Sequence, residues 1–512
     1  MRNYLQIPIF APRRSFLGLL VGVLLFCLLG PAFCLAEGQS RGGPAEEGSV
    51  SRAQLRERLE QQSRGQGSES FALWVSDVSG GSASFDRPKA AQGGSAVKEE
   101  APGEVFSQNA DKLLKPASVL KVITSLAALE LLGPQYRFTT RVYADRNERG
   151  AVKTLYVQGN GDPGLTIESA SVMARAIKLR GIESIESLVM DASLFEDERG
   201  PLGQRAFQTG SSALSFNYNA FSFQVCPRMP GMKASVVPDP FELKIPLVGT
   251  ILTKKGGQAS FSVEQAFPNS AQAAVLSYRL KGSIGDLADC TTVYRSMPNP
   301  PVVFGATYAE ILRSMGVKVG SGLREGDTPK KLDQLYVQES VPLSQLIRDL
   351  NNFSNNFIAE QILFALGQTE LGTYSRERGL ARVRAFLSSL GFKDSGFEIE
   401  DASGLSHANR VSAQMIGAVL LRGVRNQEVA PEFESSLAVG ERSGTLRRRP
   451  FDPRGVILRG KTGTLDGVSS LAGYVVGASG RKYAFVIFQN ATASTPRAHA
   501  FEDKIVAILS QS

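Results

Sequence analysis

Residues 113–134, LLKPASVLKVITSLAALELLGP, form the stretch that decides the fold. Pro116 suits the first turn of a helix, where its missing N–H costs nothing. Apolar residues then continue for about four turns, and Gly-Pro at 133–134 ends the helix. The stretch therefore predicts a largely apolar helix whose first turn carries Ser118 and Lys121.

Ser118 and Lys121 are three residues apart, a spacing that puts a hydroxyl and an amine on one face of a helix. Unpaired N–H groups and the positive dipole end at the first turn favour a developing negative charge there. That positive end, with a second cation nearby, depresses the pKa of a lysine so that it acts as a base. The pair predicts a serine nucleophile with a lysine base, although Ser-x-x-Lys alone is a common chance pattern.

A second motif, Ser354-Asn355-Asn356, stands just before a helical pattern. Its hydroxyl and carboxamide are one residue apart, so both can point into a cleft. The alternative interpretation is a helix cap or a polar turn, because serine and asparagine are preferred at these positions.

A third motif occupies residues 461–464 on a predicted strand. Lys461 and Thr462 are suited to grip a carboxylate, and Gly463 permits close approach of a substrate backbone. Thr464 completes the motif. The alternative interpretation is a basic edge strand.

The organisation of the chain changes along its length. Short apolar runs and turn residues dominate 147–329, with little helical pattern apart from 168–180. Helical patterns return over 343–367 and 374–390. Three C-terminal apolar runs, GVILRGKTGTL, SSLAGYVVG and YAFVIFQN, predict an antiparallel meander, and AHAFEDKIVAIL predicts a final helix.

The three motifs, in this order, resemble the signature of serine penicillin-recognising enzymes. The sequence around them resembles the class C low-molecular-mass penicillin-binding proteins, the D-alanyl-D-alanine carboxypeptidase/endopeptidases of the penicillin-binding protein 4 type. The resemblance runs from about residue 70 to 490, through LKPASVLKVITSLAALELLGPQYRFTT, LYVQGNGDPGLT, SALSFNYN, NNFSNNFIAEQI, DASGLS, SGTLRRR and GKTGTLDGVSSLAGYV. Ala402 stands in DASGLS where glycine is expected.

The resemblance implies an α/β fold, a serine β-lactamase/transpeptidase-like domain in which helices flank an antiparallel sheet, with a large inserted β-rich domain. We expect a signal peptide at 1–36, a disordered linker at 37–50 and transpeptidase-like segments at 51–146 and 330–512. The insertion at 147–329 is expected to wall the cleft.

The resemblance also implies a role for each motif residue. Ser118 attacks the carbonyl of a D-Ala-D-Ala or other D-centred peptide bond, and Lys121 takes its proton. Ser354 relays a proton to the leaving amine, while Asn356 holds the substrate amide. Water then releases the acyl-enzyme, so no cofactor and no metal are expected.

The third motif is implied to bind the end of the substrate. Lys461 and Thr462 hold the terminal carboxylate, and the proximity of Lys461 keeps Lys121 neutral. The backbone N–H groups of Ser118 and Thr464 form the oxyanion hole, a device that supplies about 3–4 kcal/mol per donor in acyl-transfer enzymes.

The N-terminus has the pattern of a secretory signal. Arg13 and Arg14 precede a run of 14 apolar or glycine residues at 16–29, and Cys-Leu-Ala at 34–36 fits cleavage after it. The signal therefore predicts an exported protein that is periplasmic or otherwise extracytoplasmic. The alternative is an uncleaved anchor, which would be the protein's only membrane contact.

Two cysteines, Cys226 and Cys290, remain once the signal is removed. An oxidising compartment favours a disulfide between them. The alternative is a pair of buried free thiols, and the sequence leaves both open.

Charge and histidine content exclude some functions. The net charge of +8 is spread over 512 residues, no nucleic-acid motif is present, and the run at 447–449 predicts a solvated basic loop. The two histidines, His407 and His499, are far apart, which argues against a zinc site. Asp162 and Asp401 lie in glycine-rich turns, where a carboxylate usually closes an Asx-turn.

The expected partners are peptidoglycan stem peptides, with β-lactams as covalent inhibitors. Two alternatives remain from the sequence. One is a β-lactamase or esterase on the same scaffold, against which the insertion argues. The other is a catalytically idle peptidoglycan-binding protein, against which the three intact motifs argue.

Overall fold

The computed structural model describes residues 50–79, 103–146, 150–196, 200, 202–266, 277–451 and 457–512. The predicted signal peptide and all but the last residue of the predicted linker lie outside these ranges. No helix within them is long and apolar enough to cross a membrane.

The described residues form helices and strands in a mixed order along the chain. The helices are α1 Arg52–Ser63, α2 Lys121–Leu132, α3 Ile167–Leu179, α4 Pro300–Ser314, α5 Leu343–Phe353, α6 Asn356–Leu366, α7 Arg376–Ser389, α8 Ala413–Arg425, α9 Ala430–Ser436 and α10 Thr495–Ser510. The strands are β1 Phe71–Asp77, β2 Glu104–Gln108, β3 Thr139–Arg146, β4 Ala151–Gly159, β5 Ser184–Asp191, β6 Ala220–Cys226, β7 Ser235–Asp239, β8 Leu247–Gly249, β9 Leu252–Lys254, β10 Ser260–Gln265, β11 Tyr278–Gly285, β12 Thr291–Ser296, β13 Lys318–Glu325, β14 Asp333–Glu339, β15 Ala438–Val439, β16 Ile457–Leu465, β17 Val468–Val476 and β18 Lys482–Asn490.

A six-stranded sheet carries the third motif. Its order is β15-β16-β17-β18-β1-β2, and every neighbouring pair is antiparallel. The predicted C-terminal meander is confirmed as β16, β17 and β18, and the predicted final helix as α10. The observed sheet with its covering helices confirms the predicted fold class.

Both faces of this sheet are buried, which explains its long apolar runs. Alternate residues of a strand point to opposite faces. Accordingly, Trp74 and Val486 pack into one core with α2 and α8, whereas Leu73 and Phe485 pack into a second core with α1 and α10. Helices therefore cover both faces of the sheet that carries the third motif.

The helical pattern at 343–367 is two helices, α5 and α6, rather than one. Ser354 ends α5 with φ of 55°, in the left-handed region that non-glycine residues rarely adopt. Asn355 then caps α6, because its side chain accepts a hydrogen bond of 3.1 Å from the N–H of Ile358. The break leaves Ser354 and Asn355 between the two helices and makes Asn356 the first residue of α6.

The insertion is built around a five-stranded sheet of order β13-β5-β4-β3-β14. Strands β4, β5 and β13 run parallel, and α3 and α4 pack on them in one core. Two smaller sheets, β12-β6-β7 and β10-β11 with β8 and β9, complete the insertion.

The sheet of the insertion extends beyond the predicted bounds of 147–329. Strands β3 and β14 lie outside those bounds and pair with each other antiparallel. The chain therefore enters and leaves the insertion along two adjacent strands, a pairing between distant segments that composition does not reveal.

The insertion also contains a helix that the sequence analysis did not predict. Helix α4 begins at Pro300, and the side chain of Asn299 caps it by accepting from the N–H of Val302. Asparagine followed by proline is a helix-start signal, so this helix was predictable from its first residues.

Cys226 and Cys290 are joined by a disulfide bond. Cys226 ends β6, and Cys290 immediately precedes β12, the strand that pairs with β6. The bond closes the open end of this strand pair.

Candidate active site

Ser118 lies in a single 3-10 turn, Ala117–Leu120, immediately before α2. The preceding residue, Ala117, has φ of 47°, which is unfavourable for alanine and fixes the direction of the turn. Lys121 is the first residue of α2, and its Nζ lies 3.0 Å from Ser118 Oγ. The first motif thus places hydroxyl and amine in contact.

The amine of Lys121 is fully buried and has three polar neighbours. Besides Ser118 Oγ it contacts Asn356 Oδ1 at 2.7 Å and the main-chain carbonyl of Ser403. A neutral amine has two hydrogens and one lone pair. When the two hydrogens go to Asn356 and Ser403, the lone pair faces the Ser118 hydroxyl, which is the arrangement a general base needs.

Burial lowers the pKa of Lys121 to about 7, because the interior disfavours its charged form. The carboxylates of Asp401 and Glu360 oppose this effect and raise the pKa. Burial rather than Lys461, the cause expected from the sequence, is therefore the main reason that this lysine is poised as a base near neutral pH.

Lys461 joins the second and third motifs. Its Nζ donates to Ser354 Oγ at 2.8 Å and to the carbonyl of Thr462 at 2.7 Å, and the side chain is buried. Burial lowers the pKa of Lys461 well below its usual value, and the nearby Lys121 lowers it further.

Asn356 connects the base to the insertion. Its Oδ1 accepts from Lys121, and its Nδ2 donates to the main-chain carbonyl of Phe207 at 3.2 Å. The side chain of Phe207 remains 47% exposed. The insertion therefore contacts the second motif directly, through a carbonyl that no side-chain pattern in the sequence marks.

The rest of the third motif lies along β16. Thr462 donates to the hydroxyl of Thr445 at 2.7 Å, whereas Thr464 is exposed. Thr445 belongs to the SGTLRRR stretch, which carried the family resemblance but no predicted role. Thr462 on β16 and Thr445 in the short 3-10 turn Gly444–Leu446 thus form a pair of hydroxyls, and Thr462 is the residue next to the buried Lys461.

Gly463 faces the nucleophile turn. A Cβ on this residue would lie 2.3 Å from Ser470 Oγ and 2.9 Å from both the carbonyl of Pro116 and the N–H of Ser118. Ser470 donates to that carbonyl at 2.7 Å. The structure thus explains why residue 463 is glycine: a side chain here would clash with Ser470 and the nucleophile turn. This reason differs from the predicted one, close approach of a substrate backbone.

The two aspartates close turns, as predicted. Asp162 accepts from the N–H of Gly164 at 2.7 Å, and burial raises its pKa to about 6. Asp401 accepts from main-chain N–H groups of its own loop. His407 is exposed beside Lys115, as expected for a surface histidine.

The basic run at 447–449 is only partly solvated. Arg447 and Arg448 are exposed, but Arg449 is buried and forms ion pairs with Glu502 and Asp503 of α10. The prediction of a solvated loop was wrong for Arg449, because its carboxylate partners lie about 50 residues away in sequence.

Comparison with known proteins gives a consistent identification. Residues 82–512 match the model of the D-Ala-D-Ala carboxypeptidase 3 (S13) family. A D-alanyl-D-alanine carboxypeptidase from an Actinomadura species is 32% identical over 444 residues, 82% of this chain and 81% of that protein. The D-alanyl-D-alanine carboxypeptidase DacB of Haemophilus influenzae is 25% identical, over 75% of this chain and 82% of that protein.

A solved structure agrees on the fold. The crystal structure of penicillin binding protein 4 (dacB) from Haemophilus influenzae has a TM-score of 0.70 and 22% identity, and covers 89% of this chain and 99% of that one. The predicted resemblance to the class C penicillin-binding proteins of the penicillin-binding protein 4 type is confirmed. The chain belongs to the D-Ala-D-Ala carboxypeptidase 3 (S13) family of serine hydrolases.

Proposed function

We propose that this protein hydrolyses the D-Ala-D-Ala bond of peptidoglycan stem peptides through an acyl-enzyme on Ser118. One observation carries the proposal. Lys121 Nζ lies 3.0 Å from Ser118 Oγ, while Asn356 and Ser403 accept its other hydrogen bonds. The amine is thereby held with its lone pair toward the hydroxyl that must lose a proton.

Acylation begins when Ser118 Oγ attacks the carbonyl carbon of the penultimate D-alanine. The hydroxyl proton passes to Lys121, whose pKa of about 7 leaves it largely neutral at slightly alkaline pH. Two backbone N–H groups, those of Ser118 and Thr464, stabilise the resulting oxyanion.

Collapse of the tetrahedral intermediate breaks the C–N bond and leaves an ester on Ser118. The departing amine needs a proton, which the hydroxyl of Ser354 relays. Ser354 suits this role because Lys461 lies 2.8 Å away and replaces the proton. Water then attacks the ester and gives a proton through Ser354 to Lys461, which regains the proton it supplied. Lys121 returns its proton to the Ser118 oxygen as the acid product leaves.

Lys461, Thr462 and Thr464 bind the carboxylate of the terminal D-alanine. The buried position of Lys461 strengthens an ion pair with that carboxylate, since the surroundings screen it weakly. The hydroxyl of Thr445 orients the side chain of Thr462. Gly463 leaves room for the nucleophile turn against the strand.

The inserted segment, proposed from the sequence at 147–329, forms one wall of the cleft. The hydrogen bond between Asn356 and the carbonyl of Phe207 supports this placement. The proposal includes D,D-endopeptidase cleavage of cross-links, which the family resemblance implies. The substrate lies outside the cytoplasm, which agrees with the predicted export signal at 1–36.

β-Lactams are expected to acylate Ser118 and remain bound, because they mimic the D-Ala-D-Ala terminus. Penicillin binding protein 4 of Haemophilus influenzae has been crystallised in complex with a β-lactam. That likeness supports the proposal for the present chain.

The test combines labelling with product analysis. Intact-mass measurement after exposure to benzylpenicillin should show one adduct, located on the Ser118 peptide, and none in Ser118→Ala with an unchanged melting temperature. Purified cross-linked muropeptides should lose D-alanine or separate into monomers with the wild type only. Rapid release of penicilloate with no action on muropeptides would instead indicate a β-lactamase, and retained labelling of Ser118→Ala would refute the nucleophile.

A further inference from the structure

One contact of the base comes from outside the three motifs. The third polar neighbour of Lys121 Nζ is the carbonyl of Ser403, in the loop formed by residues 401–406, here named the DASGLS loop. No step of the proposed reaction uses a side chain of this loop. Its conformation nevertheless decides where one hydrogen of the Lys121 amine points.

Asp401 organises the DASGLS loop from within. Its Oδ1 accepts from the N–H groups of Ser403 and Gly404 at 3.2 and 2.6 Å and from Asn409 Nδ2 at 3.0 Å. Its Oδ2 accepts from the N–H of Ser406 at 2.6 Å. The residue is only 8% exposed, so four donors in a buried setting depend on its carboxylate.

Residues of three helices form hydrogen bonds with the DASGLS loop or with Glu400 just before it. On α2, Thr124 donates to the carbonyl of Ala402 at 2.8 Å, one turn after Lys121. On α6, Glu360 accepts from the N–H of Ala402 at 3.0 Å. On α7, Arg376 lies 3.6 Å from Glu360 and donates to the carbonyl of Glu400. The loop is thus fixed relative to the base by several independent contacts.

The loop also touches the nucleophile turn. Gly404 has φ of 78°, and a Cβ on it would lie 1.9 Å from the carbonyl of Ala117. Its backbone therefore packs directly behind Ser118. A single loop meets both the base, through Ser403, and the turn that carries the nucleophile, through Gly404.

We propose that Asp401 is a positioning residue for acylation: it holds the DASGLS loop so that the Ser403 carbonyl orients the Lys121 amine toward Ser118. The inference rests on the proposed function, because it assigns Lys121 as the base. It adds a fourth segment of the chain to the three motifs.

Several charged groups surround Lys121. Asp401 and Glu360 favour its protonated form. Lys461, on β16, also interacts with Lys121: burial lowers the pKa of Lys461, and Lys121 lowers it further. Arg376 faces Glu360 from α7. Removing the charge of Asp401 leaves the two lysines facing fewer anions, so the base loses its proton at a lower pH.

The experiment measures the rate of acylation by a neutral thioester against pH. In Asp401→Asn the high-pH plateau should fall by about 10- to 100-fold, since a misplaced base costs that much, and the acid limb should move to lower pH. The matched control is Asp394→Asn, which removes an exposed carboxylate that pairs with Arg384 at 3.7 Å. Its plateau and acid limb should equal those of the wild type.

A second variant separates position from charge. Asn409 donates to Asp401 and to the carbonyl of Ser406, and its Oδ1 accepts from the N–H of Glu400. Asn409→Ala should lower the plateau with the acid limb unmoved, because every charge stays. Should Asp401→Asn fail to fold, this variant alone decides the positioning role.

The outcomes distinguish this inference from the proposed function. A wild-type plateau in Asn409→Ala, or an unmoved acid limb in folded Asp401→Asn, would overturn the inference while Ser118 still acylates. If the wild-type protein forms no acyl-enzyme on Ser118, the proposed function fails first.

Discussion

The amine of Lys461 donates a 2.8 Å hydrogen bond to the hydroxyl of Ser354, although the two residues are 107 positions apart. This contact joins a sheet strand to the break between α5 and α6. It places the group proposed to bind the carboxylate against the group proposed to relay a proton. In the proposed mechanism, substrate binding and proton transfer to the leaving amine therefore share one partly buried hydrogen bond.

We predict that Gly463→Ala slows acylation by about 10- to 100-fold. The added methyl would clash with Ser470 Oγ at 2.3 Å and press on the N–H of Ser118 at 2.9 Å, so the Ser470–Pro116 hydrogen bond and the nucleophile turn must shift. The rate of labelling by a fluorescent penicillin measures the effect.

Gly460→Ala, on the same strand, is the matched control for that variant. Its new Cβ would meet nothing closer than 3.3 Å, so labelling should stay near the wild-type rate. Equal rates for the two variants would mean that Gly463 does not hold the nucleophile turn.

We predict that Arg449→Met destabilises the protein by about 3–5 kcal/mol near pH 7. Glu502 is fully buried, and Arg449 donates to it at 2.7 Å. Without this partner the buried carboxylate keeps only the neutral donors Ser469 and Gln489, and its charge is unpaired. Since burial already raises the pKa of Glu502, the variant should protonate it, and the loss of stability should shrink as pH falls toward 5.

Urea unfolding of Arg449→Met at pH 5 and pH 7.5 tests that expectation. Arg447→Met removes an exposed arginine two residues away and should change the unfolding free energy by less than about 0.5 kcal/mol. A similar small effect for both substitutions would show that the ion pair contributes nothing net.

We predict that Cys226 and Cys290 are linked in the exported protein. A non-reduced digest should yield one linked peptide pair that separates on reduction. The bond spans 64 positions, and the chain-entropy model gives about 4 kcal/mol for such a loop. Replacing both by serine should lower the unfolding free energy by a similar amount, whereas two free, alkylatable thiols in native protein would contradict the link.

Sequence patterns predict contacts between side chains that lie close together along the chain. Ser118 and Lys121 are one turn apart, so helix geometry alone brings them together. The resemblance added Ser354 and Lys461 to this pair. The structure places those two in contact and puts Lys461 close enough to Lys121 that the pKa of Lys461, lowered by burial, falls further.

Sequence patterns do not predict contacts that run through the main chain or join distant segments. The carbonyls of Ser403 and Phe207 carry no residue-type signal, since every residue has one. The strand pairing of β3 with β14 joins segments about 190 residues apart, and composition cannot show it. The burial of Arg449 is unpredictable for the same reason, because its partner Glu502 lies on α10, far along the chain.

We predict that Lys461 takes up a proton when a substrate carboxylate binds. Burial and the neighbouring Lys121 hold the pKa of Lys461 well below its usual value in the free protein. A ligand carboxylate beside Lys461 favours the charged form and raises that pKa. At a pH between the free and bound values, binding must therefore take a proton from solution, and affinity must fall as pH rises through that window.

Calorimetry of Ser118→Ala with an acyl-D-Ala-D-Ala peptide, in buffers of different ionisation enthalpy, measures the uptake without turnover. The peptide's C-terminal amide, or Lys461→Gln in the same background, should show none. Equal proton uptake for acid and amide would mean that Lys461 does not bind the carboxylate, and the basic group that does would have to be sought among the exposed arginines near Thr445.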